Sequence, residues 1–536
     1  MAEGSELEIK LAVTDFRLFD IILNDPQILQ LAQGNSAETR NFEALYYDTA
    51  SFSLQKQGIA YRIRREGTEW VATMKSDRSS GSGGLVSREE WNEPVKGPDA
   101  AGHAFAGTHA GERLNQAIGQ EQLQLLFTSS FVRTTLLLHT EGGALVELAL
   151  DRGTIWGGIG GTPICELELE LKAGKVSQLL ELAALIAARW HLLPENQSKY
   201  SRGILLLQSG QSAAERQRME APDKFCPPPL ITTLTDRCIS ELFALQTGCL
   251  EQGAAPETVR ALRIQSRRLR SLLQFFQPRL QKEAWKLHQD RLRQWGALLG
   301  SIRDLDVLSK AWSGFRLRFA SVVSESPLWR HILTERRDFL AEDLLYRLSR
   351  GDLTQVVFEL QAWLYREQET AGSDMEAAAI DGFIRKSLLQ TTKQLREDVD
   401  AVDAASGMKK LHKLRIKVKR VRYFQEALAP IAQYRDEGFV AALKQVQTAI
   451  GKIHDAYQIK SLLDQIDTGS VDEKFLREKE LFLCWRGRQV TEQMFMLGKE
   501  REELKKALKA RSRALTALRA GKRSKCRHYP DSHEPS

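Results

Sequence analysis

No run of about 18 apolar residues occurs in the 536-residue sequence, so no membrane-spanning helix is expected. The start, Met1-Ala2-Glu3-Gly4-Ser5-Glu6, is acidic and lacks the apolar core of a signal peptide. Cysteine is scarce. The six present (Cys165, Cys226, Cys238, Cys249, Cys484 and Cys526) are scattered, with no C-x-x-C pair, which argues against a zinc site or a disulfide framework and for the reducing cytoplasm. Net charge is also missing from most of the chain. Residues 499–536 carry 12 Lys or Arg against 5 Asp or Glu, which equals the whole surplus of +7. Any basic surface before the tail must therefore come from segregated charge. With 42% hydrophobic and 27% charged residues the chain is globular, and its length calls for two or more domains.

What is present begins with Glu6-Leu7-Glu8-Ile9-Lys10. Strand alternation puts Glu6, Glu8 and Lys10 on one face and Leu7 and Ile9 on the other. Such a face suits a divalent cation held beside an anion. Further alternating segments at 44–50, 59–65, 69–76, 86–92, 131–139, 144–151 and 163–172 predict strands, with helices near 15–33, 113–126 and 177–190. Glycine-rich stretches at 79–84 and 157–161 predict turns. Many short strands joined by such turns point to an antiparallel barrel or sandwich. By parity, Arg62 pairs with Arg64, Thr73 with Lys75, Arg88 with Glu90, Glu147 with Asp151, and Glu166 with Glu168 and Glu170; Arg133 opens another strand. Solvated charged faces are the ordinary explanation of one such strand. Repeated Glu and Arg doublets favour a wet lumen instead, in which Arg and Lys grip phosphate oxygens and Glu holds a hard cation such as Mg²⁺ or Mn²⁺.

Residues 209–230 read as a linker, polar at first and stiffened by Pro227-Pro228-Pro229. From 231 to about 500 apolar residues recur at three and four, which predicts an all-helical domain. It holds an internal repeat. The segment from Val259 to Arg270 aligns with that from Leu411 to Arg422, and Leu299-Gly300-Ser301-Ile302-Arg303-Asp304 with Ile450-Gly451-Lys452-Ile453-His454-Asp455. Arg260, Arg263, Arg267 and Arg270 fall on one helix face, as do His412, Arg415, Lys419 and Arg422. Two matched basic stripes favour an anion groove over two solvated faces. His288, alone on its helix, is expected to be packed or exposed rather than a ligand. The basic tail, 501–536, reads as a helix or an arm that binds polyanions or aids solubility.

The E-x-E-x-K opening, Tyr46-Tyr47-Asp48-Thr49, Ile59-Ala60-Tyr61-Arg62-Ile63-Arg64, Trp70-Val71-Ala72-Thr73-Met74-Lys75, Arg88-x-Glu90 and Cys165-Glu166-Leu167-Glu168-Leu169-Glu170 resemble, in order over 1–208, the CYTH domain of triphosphate tunnel metalloenzymes. Gln197-Ser198-Lys199-Tyr200-Ser201-Arg202-Gly203 is similar to that family's closing segment. The resemblance implies an eight-stranded antiparallel tunnel that binds a linear triphosphate. It implies metal ligands at Glu6, Glu8, Glu166, Glu168 and Glu170, with Glu90, Glu147 and Asp151 assisting. Phosphate would be held by Lys10, Arg62, Arg64, Lys75, Arg88, Arg133 and Lys199, with Glu6, Glu8, Lys10, Arg62 and Arg64 carrying the catalysis.

The helical half resembles the CHAD domain over about 231–500, which implies binding of inorganic polyphosphate along the two stripes. It departs from that pattern at Arg260, where the family usually has histidine, and at Arg303, the counterpart of His454. The expected fold class is thus α+β multidomain: a CYTH tunnel (1–208), a linker (209–230), a duplicated CHAD bundle (231–500) and a basic tail (501–536). The expected function is metal-dependent hydrolysis of inorganic triphosphate, with Mg²⁺ or Mn²⁺, in the cytoplasm and without a membrane partner. Nucleic acid is the less favoured partner of the tail. The alternatives are a non-catalytic polyphosphate-binding protein, or a tunnel acting on thiamine or nucleoside triphosphates.

Overall fold

A computed structural model describes residues 5–77, 84–98, 102–158, 160–208, 230–371, 377–403, 406–429, 431–466 and 473–520. Residues 79–83 of the turn expected at 79–84, Ile159, linker residues 209–229 and tail residues 521–536 lie outside the described residues.

Eight strands form the N-terminal part: β1 (Ser5–Ala12), β2 (Glu38–Thr49), β3 (Ile59–Glu66), β4 (Glu69–Asp77), β5 (Leu85–Val95), β6 (Leu123–His139), β7 (Leu145–Gly157) and β8 (Gly160–Ala173). They pair antiparallel in the order β5-β4-β3-β2-β6-β7-β8-β1, and β1 pairs back onto β5, so the sheet closes into a barrel with no free edge among these strands. A two-residue β9 (Leu193–Pro194) adds to β1. The helices of this part are α1 (Arg17–Leu23), α2 (Pro26–Ala32), α3 (Ser53–Lys56), α4 (His109–Ile118), α5 (Val176–Trp190) and α6 (Lys199–Leu207).

The barrel wall is polarised as the alternation predicts, with its apolar face outward. Tyr61, Ile63, Ala72 and Met74 are fully buried and pack with Ala110, Leu114 and Ala117 of α4. Arg62 and Arg64, of opposite parity, point into the lumen. The helix expected over 15–33 breaks in two because Pro26 restarts it and the Asp25 carboxylate caps the restart, accepting from Gln27 N at 2.9 Å. The helix expected over 113–126 stops at Ile118. Gly119 turns the chain at φ 65°, and Leu123 already pairs in β6.

Ten α-helices follow among the described residues: α7 (Leu230–Gln252), α8 (Pro256–Phe276), α9 (Lys282–Arg318), α10 (Pro327–Arg330), α11 (Arg336–Ser349), α12 (Asp352–Ala371), α13 (Ala377–Asp400), α14 (Met408–Ala427), α15 (Glu437–Asp464) and α16 (Glu473–Ala520). The repeated segments lie on α8 and α14, and on α9 and α15. The chain forms two compact units, Met1–Arg303 with Arg336–Asp374 and Asp304–Glu335 with Met375–Ser536, divided within α9.

In the first unit α12 packs along α5. Glu369 accepts from Ser177 N at 3.0 Å and from Ser177 Oγ at 2.5 Å, and Arg366 pairs with Glu181. His288 is buried against the Trp363 ring at 4.9 Å, and burial pushes its imidazole down to about 4, as expected of a packed residue. Asp236 of α7 is buried and accepts from Gln361 Nε2 and Tyr365 OH, each at 2.8 Å. Burial pushes its carboxyl up to about 7. An acid raised on folding holds its proton in the native state after the unfolded chain has lost it, so stability falls as pH rises from the ordinary carboxyl value toward 7. Unfolding free energy should drop by about 1.4 kcal/mol more between pH 6 and pH 8 in the native protein than in Asp236→Asn. Denaturant melts at the two pH values check this, and equal drops would contradict it.

In the second unit Trp312 and Trp329 stack at 3.8 Å and are edged by Phe482. A separate core joins α13 to α16 through Leu395, Val418, Val446, Ile450 and Leu504. Helix α16 runs unbroken through residue 500, with Leu504, Leu508 and Leu515 buried. Arg511, 3% exposed, donates to Gln425 Oε1 at 2.9 Å and to the Tyr434 carbonyl at 2.8 Å. The first part of the basic tail is thus built into this unit. No helix among the described residues is long and apolar enough to cross a membrane.

Candidate functional site

The barrel encloses a cavity of about 1200 Å³ lined by charged side chains from most of its strands. Register brings them together. Across β1 and β8, Glu8 faces Glu170 and Lys10 faces Glu168. Across β1 and β5, Glu6 faces Arg88, and across β4 and β5, Lys75 faces Glu90. Of the residues expected to form the site, Glu6, Glu8, Lys10, Arg62, Arg64, Lys75, Arg88, Glu90, Arg133, Glu147, Glu168, Glu170 and Lys199 all line this cavity. Glu166 and Asp151 stand behind it, 1% and 0% exposed.

The lumen has two poles. Arg62, Arg64 and Arg133 converge on one side. Burial lowers the basicity of Arg64, and the neighbouring charges of Arg62 and Arg133 lower it further. The Arg62 Nε is buried without a hydrogen-bond partner among the described residues. On the other side burial raises the Glu170 carboxyl. Lys172, 2.8 Å away, opposes this, and the Glu6 and Glu147 carboxylates reinforce it. Between the poles Lys75 bridges Glu6 at 2.5 Å and Glu90 at 3.2 Å. Burial of Glu90 is overcome by Lys75, Arg62 and Arg64, which bring its carboxyl down to about 2. Crowded cations attract an anion, and crowded carboxylates attract a cation. The carboxylates offer hard oxygen donors, which suit Mg²⁺ or Mn²⁺.

A third cluster carries no open position. Oxygens of Asp151, Glu166 and Glu168 come within 4.8 Å of one another, but the Lys199 ammonium already stands among them. It lies 2.6 Å from Asp151 and 3.0 Å from Glu168, and also pairs with Glu166. Arg133 holds Asp151 at 2.6 Å and Glu168 at 2.5 Å, and Lys10 holds Glu168 at 2.7 Å. Against burial, Lys10, Lys199 and Arg133 hold the Glu168 carboxyl well below the usual range.

Lys199 reaches this cluster because α6 enters the barrel. Ser198 caps the helix, accepting from Ser201 N at 3.0 Å. Gly203 lets it lie against Phe127, whose ring a Cβ at that position would meet at 2.2 Å. Ile204 then packs with Phe42, Tyr46, Phe127, Phe131, Ile155 and Ile164, so this part of the lumen is apolar. Phe42 and Phe131 stack at 5.3 Å. The repeated charge doublets did not reveal this half, although Phe42, Ala44 and Tyr46 share one parity on β2. Arg40, Glu66, Lys172 and Tyr46 also line the cavity and were not anticipated; Glu66 continues the parity of Arg62 and Arg64 and Lys172 that of Glu168 and Glu170, whereas no site residue was expected on β2.

The CYTH domain family matches residues 4–204, and the CHAD domain family matches residues 233–464. The chain carries a CYTH domain followed by a CHAD domain. An inorganic triphosphatase of Haemophilus influenzae is 30% identical over 233 residues, 41% of this chain and 63% of that relative, so the match spans less than two thirds of the relative's length. Among solved structures, a putative adenylyl cyclase from Hippeastrum, described as having a dominant triphosphatase activity, is 20% identical. It covers 40% of this chain and 100% of its own, with a TM-score of 0.28. The CHAD domain from the plant Ricinus communis is 20% identical, covering 54% of this chain and 92% of its own, with a TM-score of 0.39.

The CHAD stripes are placed as follows. On α8, Arg260 is exposed, and Arg263, Arg267 and Arg270 are half-buried. On α14, His412 is exposed and stacks on His454 of α15, with His454 Nε2 2.8 Å from His412 Nδ1. Arg415 lies 3.7 Å from Asp455, and Lys419 is half-buried. Arg422 is buried, pairs with Glu426 at 2.6 Å, donates to Gln447 at 2.8 Å and covers the Tyr423 ring. It belongs to the packing of the bundle more than to the stripe's outer surface.

Proposed function

We propose that the CYTH tunnel hydrolyses inorganic triphosphate to diphosphate and phosphate with Mg²⁺ or Mn²⁺, that the CHAD domain binds inorganic polyphosphate, and that the protein works in the cytoplasm. The division into tunnel (1–208), linker (209–230) and bundle (231–500) is part of this reading, with α16 carrying the bundle on into the expected tail (501–536). The observation that carries it is the two-pole lumen. Arg62, Arg64 and Arg133 gather opposite Glu6, Glu147 and Glu170, an arrangement that a polyanion and a divalent cation together would neutralise.

Glu6, Glu8 and Glu170 would hold the metal, since their carboxylates line the cavity. Glu168, tied to Lys10, Arg133 and Lys199, and Glu166 behind it would order that face. When bound, the metal would offset charge on the phosphate oxygens and activate water. Arg62 and Arg64 would bind and orient the phosphates from the cationic pole, and Arg133 and Lys10 from the wall they share with Glu168. Lys75 and Arg88 would hold further phosphate oxygens while keeping Glu6 and Glu8 in place. Lys199 would add positive potential. Substrate choice is tested by kcat/KM for inorganic triphosphate, thiamine triphosphate and ATP at fixed Mg²⁺. Inorganic triphosphate should lead, and a lead by either of the others would overturn the assignment.

For the CHAD domain, Arg415→Ala combined with Lys419→Ala should weaken binding of long-chain polyphosphate about tenfold and reduce its salt sensitivity, with triphosphate hydrolysis unchanged. Arg422 is left intact because it is itself buried and anchors half-buried Glu426 and Gln447, so its loss would disturb the bundle. Unchanged polyphosphate affinity would remove the stripe from the account.

A further inference from the structure

One half-buried charged side chain near the lumen has no role in the reading above. Arg202, on the first turn of α6, does not line the cavity. Its guanidinium pairs with Glu166, whose other oxygen is held by Lys199, and its Nη1 donates to the Pro163 carbonyl at 3.4 Å. Glu166 is thus shared between two cations of one helix, three residues apart and on one face.

Charge counting gives this pairing a consequence. The ion-paired network holds three carboxylates, Asp151, Glu166 and Glu168, and four cations, Lys10, Arg133, Lys199 and Arg202, with the Glu195 carboxyl near Arg202 and Glu166 but outside these pairs. Extending it through Lys10 to Glu8 and on to Arg88 adds one charge of each sign and keeps the surplus at one positive charge. Without Arg202 the surplus is gone. Lys199 would then be drawn to Glu166, and Glu168 would lean on Lys10 and Arg133 alone. Those two cations face the lumen, so the positive charge they turn to an anion would shrink.

We infer that Arg202 is a positioning residue for the triphosphate substrate. By neutralising Glu166 from behind the wall, it frees Lys199 to share Glu168 and leaves Lys10 and Arg133 available to phosphate. The inference rests on the triphosphatase reading of the tunnel. It extends the substrate-binding apparatus to a residue that never touches the substrate, and it ties tunnel affinity to the seating of α6.

The test compares Arg202→Gln, Arg202→Lys, Glu166→Gln and the double variant Arg202→Gln/Glu166→Gln in the full chain. Steady-state hydrolysis of inorganic triphosphate is measured alongside calorimetric binding of inorganic triphosphate in chelator. Arg202→Gln should raise KM about tenfold and weaken binding equally, with kcat changed less than twofold. Arg202→Lys should stay near the native values. The double variant restores the surplus and should bring KM back, an outcome that a merely structural loss would not produce. Glu166→Gln alone adds surplus charge and should lower KM, which decides the matter even where Arg202→Gln folds poorly. Unchanged KM in a folded Arg202→Gln, no recovery in the double variant, or a raised KM in Glu166→Gln would overturn the inference. A native protein that binds triphosphate without hydrolysing it would instead overturn the triphosphatase reading, leaving Arg202 to be judged on binding alone.

Discussion

Glu8→Gln is expected to lower metal-dependent kcat for inorganic triphosphate about 10³-fold, roughly 4 kcal/mol of transition-state stabilisation. Glu8 is 2% exposed, lines the cavity and faces Glu170 across the β1–β8 ladder. Arg88 at 3.2 Å and Lys10 at 3.5 Å both engage its Oε1. The amide keeps the shape of the carboxylate and removes one anionic donor from a pole that must hold a divalent cation. The apparent affinity for Mg²⁺ should fall with the rate, and the thermal midpoint should move little. Saturation curves in Mg²⁺ and in triphosphate for both proteins check this. A native rate and Mg²⁺ affinity in the variant would remove Glu8 from the metal assignment, and Glu6→Gln would then carry the same test to its neighbour on β1.

Arg62→Ala should act on the other pole and in the other parameter. The Arg62 Nε has no hydrogen-bond partner among the described residues, and its charge crowds that of Arg64. Against burial, Tyr46, Glu90 and Glu6 favour the Arg62 charge, so its removal should lower the thermal midpoint somewhat while the barrel stays folded. The loss should appear in KM for triphosphate, about 30-fold, the scale of one or two charge-assisted hydrogen bonds to phosphate oxygens. An unchanged KM would mean that the phosphates lie elsewhere in the lumen.

Alternation made the charged lumen readable. Once Glu6, Glu8 and Lys10 shared a face, so did Arg62 with Arg64 and Glu166 with Glu168 and Glu170, and barrel closure turns one parity inward on every strand. Periodicity was silent on what enters the barrel from outside it. Lys199 and Arg202 belong to a nine-residue helix, and their partners on β7 and β8 lie more than thirty residues away in sequence. Lys199, expected to meet phosphate, lines the cavity while standing among three carboxylates. Their spacing of three on one helix face was the available signal for Arg202. The apolar part of the lumen around Phe42 and Phe131 escaped for a related reason: an apolar inward residue on an alternating strand looks like any core residue. In the helical region the repeat located the paired segments on α8 and α14. Composition placed a tail at 501, whereas α16 carries its apolar face on to Leu515.

The central claim is that this lumen hydrolyses triphosphate with the help of a divalent metal. Phosphate release from inorganic triphosphate by the full chain, with Mg²⁺, with Mn²⁺ and with chelator, tests it most directly. Release that is fast with either metal and absent in chelator is the predicted result. No release under any of the three conditions, with polyphosphate still bound, would contradict the claim and leave a polyanion-binding protein.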